Sequence, residues 1–244
     1  MKNILLVNDD GYSAEGIQRL KKQLLGYGNV YIVAPKNVMS AKGTSITIGN
    51  ETPAFKLYDA YNYVVDGTPA DCVTFGLNSL GIDIDLVISG CNKGLNHSIA
   101  SIWSGTIGAC VEAGYKGIPS IAFSAPINRM NHIEKYTKPV LDYIFKHNLP
   151  NKDWIVSVNF PYTEKAKGIR YSKMSFNDRK IVWGNDGNLY QSDEGDINFK
   201  DEDSDLYHVS HGFISITPLS LSLFNKDIYN SLKDKCEDED FKYK

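Results

Sequence analysis

The chain has 244 residues, a formal net charge of −3, and 42% hydrophobic and 11% aromatic content. That is enough apolar material for one α/β domain with an extension, and too little basic excess for a polymeric nucleic acid to be the main partner. No apolar run approaches the ~20 residues that span a bilayer and no signal-peptide pattern opens the chain, so a cytoplasmic protein with no membrane partner is expected.

The first predicted element is the strand Ile4-Leu5-Leu6-Val7, which runs straight into Asn8-Asp9-Asp10-Gly11. A four-residue aliphatic run reads as a strand buried on both faces, so the two acids stand at its carboxyl end, where open α/β sheets bind ligands. Successive side chains on a strand point to opposite faces, so Asp9 and Asp10 converge only if the backbone leaves the extended form between them; Gly11 permits that turn. Two adjacent carboxylates repel unless a cation lies between them, and hard oxygen donors suit Mg²⁺ or Mn²⁺. The alternative is that the pair only ends the strand and caps the next helix.

A helix is predicted from Ala14 to Gly26, with Ile17, Leu20 and Leu24 as its apolar stripe, then a second strand, Val30 to Ala34, ending at Pro35 and a polar loop, Lys36 to Ser45. Strand, helix and strand with short connections imply parallel pairing and a doubly wound, Rossmann-like sheet. Short extended pieces fill Ser45 to Val65, and Thr68-Pro69 starts a helix with Thr68 as N-cap. The strand Asp85 to Ile88 leads into the polar loop Ser89 to Asn96, and Ser104-Gly105-Thr106 opens the helix Ile107 to Tyr115. Backbone N–H groups and two hydroxyls at that helix start suit a phosphate; an ordinary cap is the plainer alternative. Neither a P-loop nor a G-x-G-x-x-G signature is present, which excludes those two nucleotide-binding classes.

Strand Ser120 to Ser124, a helix from Glu134 to His147 containing Pro139, and strand Trp154 to Phe160 complete the predicted core. Ile169 to Phe176 and Lys180 to Tyr190 alternate and read as an antiparallel arm with Asn185-Asp186-Gly187-Asn188 at its turn. Asp193 to Asp205 reads as an acidic loop in which Asp203 and Asp205 are candidate ligand neighbours, Gly212 to Thr217 as a late strand ended by Pro218, and Asp227 to Lys235 as a terminal helix. The expected organisation is one domain over 1–244: a core of about 1–160 and 205–220, a hairpin arm at about 168–192, and a helical tail at about 221–244. Cys72, Cys91, Cys110 and Cys236 lie far apart with no Cys-x-x-Cys spacing, which predicts reduced, mostly buried thiols.

The segments MKNILLVNDDGYSAEGI, SGCNKGLN, WSGTIGA and HGFISITPL, in this order with DGTPADCV between the first two, closely resemble the stationary-phase survival (SurE) family of metal-dependent 5′/3′-nucleotidases over nearly the whole chain. The resemblance implies one divalent metal ion held by Asp9, Asp10, Ser40 and Asn92, and phosphate contacts from Asn96, Ser104, Gly105 and Thr106. Around Ser40 the chain departs from the family's usual pattern, with Val38 and Ala41 where Arg and Gly are common. It also implies a homodimer or homotetramer with exchanged C-terminal segments; the large apolar residues of the arm and of Ile216 to Phe224 need a surface on which to pack.

The expected function is hydrolysis of nucleoside monophosphates by a metal-activated water, with Asp9 and Asp10 central to catalysis. A general phosphatase acting on other small phosphoesters or polyphosphate, and a nucleotide- or metal-binding sensor without turnover, are the alternatives. His97 and His211 are candidate proton donors, with structural roles favoured.

Overall fold

The computed structural model describes residues 2–48, 55–59, 61–176, 180–183, 189–192 and 201–235. The expected turn Asn185 to Asn188, the acidic stretch up to residue 200, Cys236 and the tail Glu237 to Lys244 lie outside these residues. In chain order the elements are β1 (Lys2–Val7), α1 (Glu15–Leu24), β2 (Gly28–Pro35), β3 (Phe55–Asp59), β4 (Asn62–Val65), α2 (Pro69–Ser79), β5 (Leu86–Lys93), α3 (Ala100–Trp103), α4 (Gly105–Tyr115) and β6 (Ser120–Ala125). They continue with α5 (His132–Lys146), β7 (Trp154–Asn159), β8 (Ile169–Tyr171), β9 (Lys180–Trp183), β10 (Leu189–Ser192), α6 (Asp205–Ser210), β11 (Ile214–Ser220) and α7 (Lys226–Lys235).

Among the described residues nine strands form one sheet in the order β3-β4-β2-β1-β5-β6-β7-β11-β8. The pairs β2/β4, β1/β2, β1/β5, β5/β6, β6/β7 and β11/β8 are parallel, whereas β3/β4 and β7/β11 are antiparallel. The mostly parallel, doubly wound α/β sheet expected from the order of elements is therefore present. After β4 and α2 the chain crosses to the other side of β1 to lay down β5, so β1 lies at the topological switch point, where such sheets open a crevice beyond the strand ends.

Alternation along β1 builds two cores. Ile4 and Leu6 face α1 and α5, packing with Ile17, Leu20, Leu24, Val140 and Leu141; Leu5 and Val7 face α2 and α4, packing with Cys72, Val73, Ala109 and Ala113. All four aliphatic residues are fully buried, so truncating Leu5 or Leu6 to alanine costs about 2–5 kcal/mol. Cys72, Cys91 and Cys110 are free and buried, as expected. No helix among the described residues is long and apolar enough to cross a membrane.

Three expectations change. β5 does not end at Ile88: after a register shift its pairing with β6 resumes at Asn92↔Ser124 and Lys93↔Ala125, so Asn92 sits on a strand. β8 belongs to the main sheet, parallel to β11, and the separate antiparallel pair is only β9 with β10. Alternation shows that a segment is extended but not which strand it pairs with, which is why the arm looked longer in sequence. β11 also runs through Pro218 to Ser220, with Pro218 opposite Val156 of β7. A proline fits there because β8 pairs only with Ile214 to Ile216, leaving no partner strand on that side among the described residues to require an N–H.

Candidate active site

The apolar run of β1 stops where Asn8 turns the chain. Its buried amide nitrogen donates to the Gly11 carbonyl at 2.8 Å, and Gly11 takes φ +95°, a conformation that favours glycine. The turn breaks the extended alternation between the two acids. Asp9 faces the start of α4, accepting the Thr106 hydroxyl at 2.7 Å, while Asp10 accepts the Lys93 N–H of β5 at 3.2 Å.

Asp9 is only 4% exposed. Burial pushes its carboxyl up to about 6; the Thr106 hydrogen bond opposes the rise and the charge of Asp10 adds to it. Asp10, half-buried, is also raised by burial, against the Lys93 amide and the Lys93 charge. Neither acid forms an ion pair with a described lysine, arginine or histidine. The close approach explains Gly105: a Cβ there would stand 2.8 Å from the Asp9 Cβ and 3.1 Å from its Oδ2.

The loop after β2 is pinned onto this corner. The Met39 N–H donates to the Asp9 carbonyl at 2.7 Å and the Gly43 N–H to the Trp103 carbonyl at 2.8 Å. Thr47 donates its N–H and hydroxyl to Asp71 at 2.9 and 2.7 Å, and Asp71 closes a capping box with Thr68 at the start of α2. Ser40 is thus an exposed residue one step from the Asp9 contact. On β5, the Asn92 amide nitrogen donates to the Gly94 carbonyl at 2.8 Å, which turns the amide oxygen the other way.

Asn96 is held firmly: its N–H donates to Asn159 Oδ1 at 2.8 Å, its amide to the Ser124 hydroxyl at 3.0 Å, and its carbonyl accepts from Asn159 Nδ2 at 3.0 Å. Because Ser124 is the register partner of Asn92, both asparagines bear on one rung of the sheet. Ser104 caps α4, accepting the Ile107 N–H at 3.2 Å, which leaves its own proton to give. Thr106, an expected phosphate contact, donates its hydroxyl to Asp9, which ties the start of α4 to the acid pair.

Both candidate histidines are engaged by neighbouring groups. His97 is buried, with Nδ1 on the Ser98 hydroxyl at 3.0 Å and Nε2 on the Tyr162 hydroxyl at 3.1 Å; His211 stacks on Tyr207 and bonds its carbonyl at 2.8 Å. Asn159 and Ser124 escaped sequence reasoning. A fully buried Asn at the carboxyl end of the apolar run Trp154 to Phe160 was the available signal for the first. Among the described residues no three His, Cys, Asp or Glu converge, so the acid pair depends on amide and hydroxyl neighbours for any further donors.

The family model Survival protein SurE matches residues 4–180. The chain belongs to the SurE family. It is 40% identical over 243 residues to 5′-nucleotidase SurE of Clostridium botulinum (strain Langeland), covering 93% of this chain and 96% of that protein. It is 36% identical over 257 residues to 5′-nucleotidase SurE of Petrotoga mobilis, covering 96% and 99%. The crystal structure of the SurE protein from Aquifex aeolicus superposes with a TM-score of 0.82 at 34% identity, covering 95% of this chain and 98% of that one. The SurE fold thus carries the acid pair on its central strand and the start of α4 directly against it.

Proposed function

We propose that this SurE-family chain is a 5′-nucleotidase, hydrolysing nucleoside 5′-monophosphates and also 3′-monophosphates with one Mg²⁺ or Mn²⁺ per subunit. The observation that carries the reading is the buried acid pair at the switch point, pressed against a helix start. Burying two carboxylates without a cationic side chain is costly, and a bound divalent ion offsets that cost. The named activity of the Clostridium and Petrotoga relatives supports the substrate class.

The donors fit a hard cation: carboxylates from Asp9 and Asp10, the Asn92 amide oxygen and, one residue from the Met39 anchor, the Ser40 hydroxyl. When bound, the ion supplies Lewis-acid polarisation of the phosphoryl group and activation of water. The chain's own residues do the rest. Thr106 keeps Asp9 ionised and aimed. Ser104, the Gly105 N–H and Asn96 are the proposed phosphate contacts, placing donors where charge redistributes during transfer. Phosphate release from 5′- and 3′-monophosphates, measured with and without chelator, tests this: release should stop with chelator and return with Mg²⁺ or Mn²⁺. Nucleotide binding without release would favour a sensor.

The assembly proposed is a homodimer or homotetramer that exchanges C-terminal segments. The segment docks on its own chain as far as Leu221, whose carbonyl accepts the Tyr115 hydroxyl at 2.9 Å. Beyond it Leu223 is 99% exposed, Phe224 lies open ahead of α7, and Ile228 and Leu232 lie open along that helix. An apolar groove of about 540 Å³, lined by Ile102, Ile107, Val111, Leu219 and Leu221, lies nearby. Apolar side chains and an apolar groove on one molecule support reciprocal burial between copies.

A further inference from the structure

Asp205, a candidate ligand neighbour in the sequence, makes none of the acid-pair contacts described above. It comes from the start of α6, 107 residues beyond the loop it holds, and is 1% exposed. Its Oδ2 accepts the Ser98 N–H at 2.8 Å; its Oδ1 accepts the Ser175 N–H at 3.1 Å and the Leu206 N–H at 2.7 Å. It forms no ion pair among the described residues. A buried carboxylate satisfied only by backbone amides is an expensive way to hold chain together, so what it holds matters.

What it holds is the turn that follows Asn96. Ser98 takes φ +56°, a conformation unfavourable for a residue with a side chain. That strained residue is gripped from three sides: its N–H by Asp205, its hydroxyl by His97 Nδ1 at 3.0 Å, and the same hydroxyl by Ser175. His97 is tied in turn to Tyr162 at 3.1 Å, and the Asn96 carbonyl accepts the Ser101 hydroxyl at 3.0 Å. The β6 and β7 ends fix Asn96 from one side, and the Ser98 clamp fixes the chain leaving it on the other. We infer that Asp205 is a positioning residue that sets the Asn96 turn against the substrate phosphate. The inference rests on the phosphate role proposed for Asn96.

The near-isosteric Asp205→Asn tests it, because its amide nitrogen presents N–H where either the Ser98 N–H or the Ser175 and Leu206 N–H groups need an acceptor. Loss of uniform phosphate binding raises KM without lowering kcat. The expected result is a KM for nucleoside 5′-monophosphate raised about tenfold, kcat within about twofold, and no additional KM rise when Asp205→Asn is combined with Asn96→Ala. A fall in kcat at constant KM, as from a smaller folded fraction, overturns the inference; so does full additivity with Asn96→Ala. Amide hydrogen exchange separates this inference from the functional reading. If the wild-type protein turns over no nucleotide, the functional reading fails, and exchange decides the clamp alone: acceleration confined to residues 96–101 in Asp205→Asn supports it, whereas uniform or absent acceleration overturns it.

Discussion

The carboxyl end of β1 and the chain beyond Leu221 invert the ordinary rule of burial in opposite directions. At the first, Asp9 is 4% exposed and carries a carboxyl raised to about 6; at the second, Leu223 is 99% exposed and Ile228 and Leu232 face outward from α7. Buried charge and exposed apolar surface each cost free energy within a single chain, and on the proposed function each cost is offset by something that binds: a cation and a phosphate at the strand end, a second copy at the tail. The two regions also differ in rigidity of support. Asp9 is held by Thr106, Met39 and the turn of Asn8, whereas the tail beyond Leu221 is held mainly by local contacts such as Phe224 N–H to the Ser222 hydroxyl.

The largest effect belongs to the acid pair. Asp9→Asn or Asp10→Asn should lower phosphate release by roughly a thousandfold or more while circular dichroism shows an intact fold, since the change removes a proposed metal ligand and also relieves like-charge repulsion. Turnover near the wild-type rate in either variant would break the reading of the buried end.

Ending the chain after Ser222 is the matching test of the exposed end. It retains Leu219 and Leu221, which pack on the core, and should convert the assembly to monomers by light scattering with little change in the core's unfolding midpoint. A full-length protein that is monomeric at micromolar concentration would falsify the exchange of segments.

A smaller effect comes from pH. The folded-state pKa of Asp9, about 6, lies above its ordinary 3.8, so between these values the folded state binds more protons than the unfolded one and unfolding free energy falls as pH rises. In metal-free protein this contribution is intact below pH ~4 and is lost by pH ~6, on the order of 2–3 kcal/mol. Urea unfolding across that range in chelator should show the decline in wild type and a flatter profile in Asp9→Asn; parallel profiles would remove the burial argument.

The smallest expected change is Thr106→Val. It deletes the 2.7 Å hydrogen bond to Asp9 at nearly constant volume, which should cost about 1 kcal/mol of stability and lower kcat about tenfold, as the Asp9 carboxyl rises further. A variant that loses only substrate affinity, with kcat intact, would return the Thr106 hydroxyl to the phosphate.

The parts of the fold that depend on nearby residues were legible in the chain. Ile4 to Val7 had to be a doubly buried strand, the acids had to fall at its carboxyl end, Thr68-Pro69 and Ser104 had to start helices, and the strand-helix order implied a parallel sheet. Propensity, capping and periodicity act over a few residues, so they are legible without coordinates. Tertiary structure alone decided the pairings that join distant stretches. It moved β8 from an arm into the main sheet, extended β5 to carry Asn92, and set the Thr106 hydroxyl against Asp9. It also brought Asn159 to Asn96 across 63 residues and Asp205 to Ser98 across 107. A hydrogen bond between remote residues leaves no period and no spacing in the chain; it exists only once the sheet has set which strand ends stand side by side.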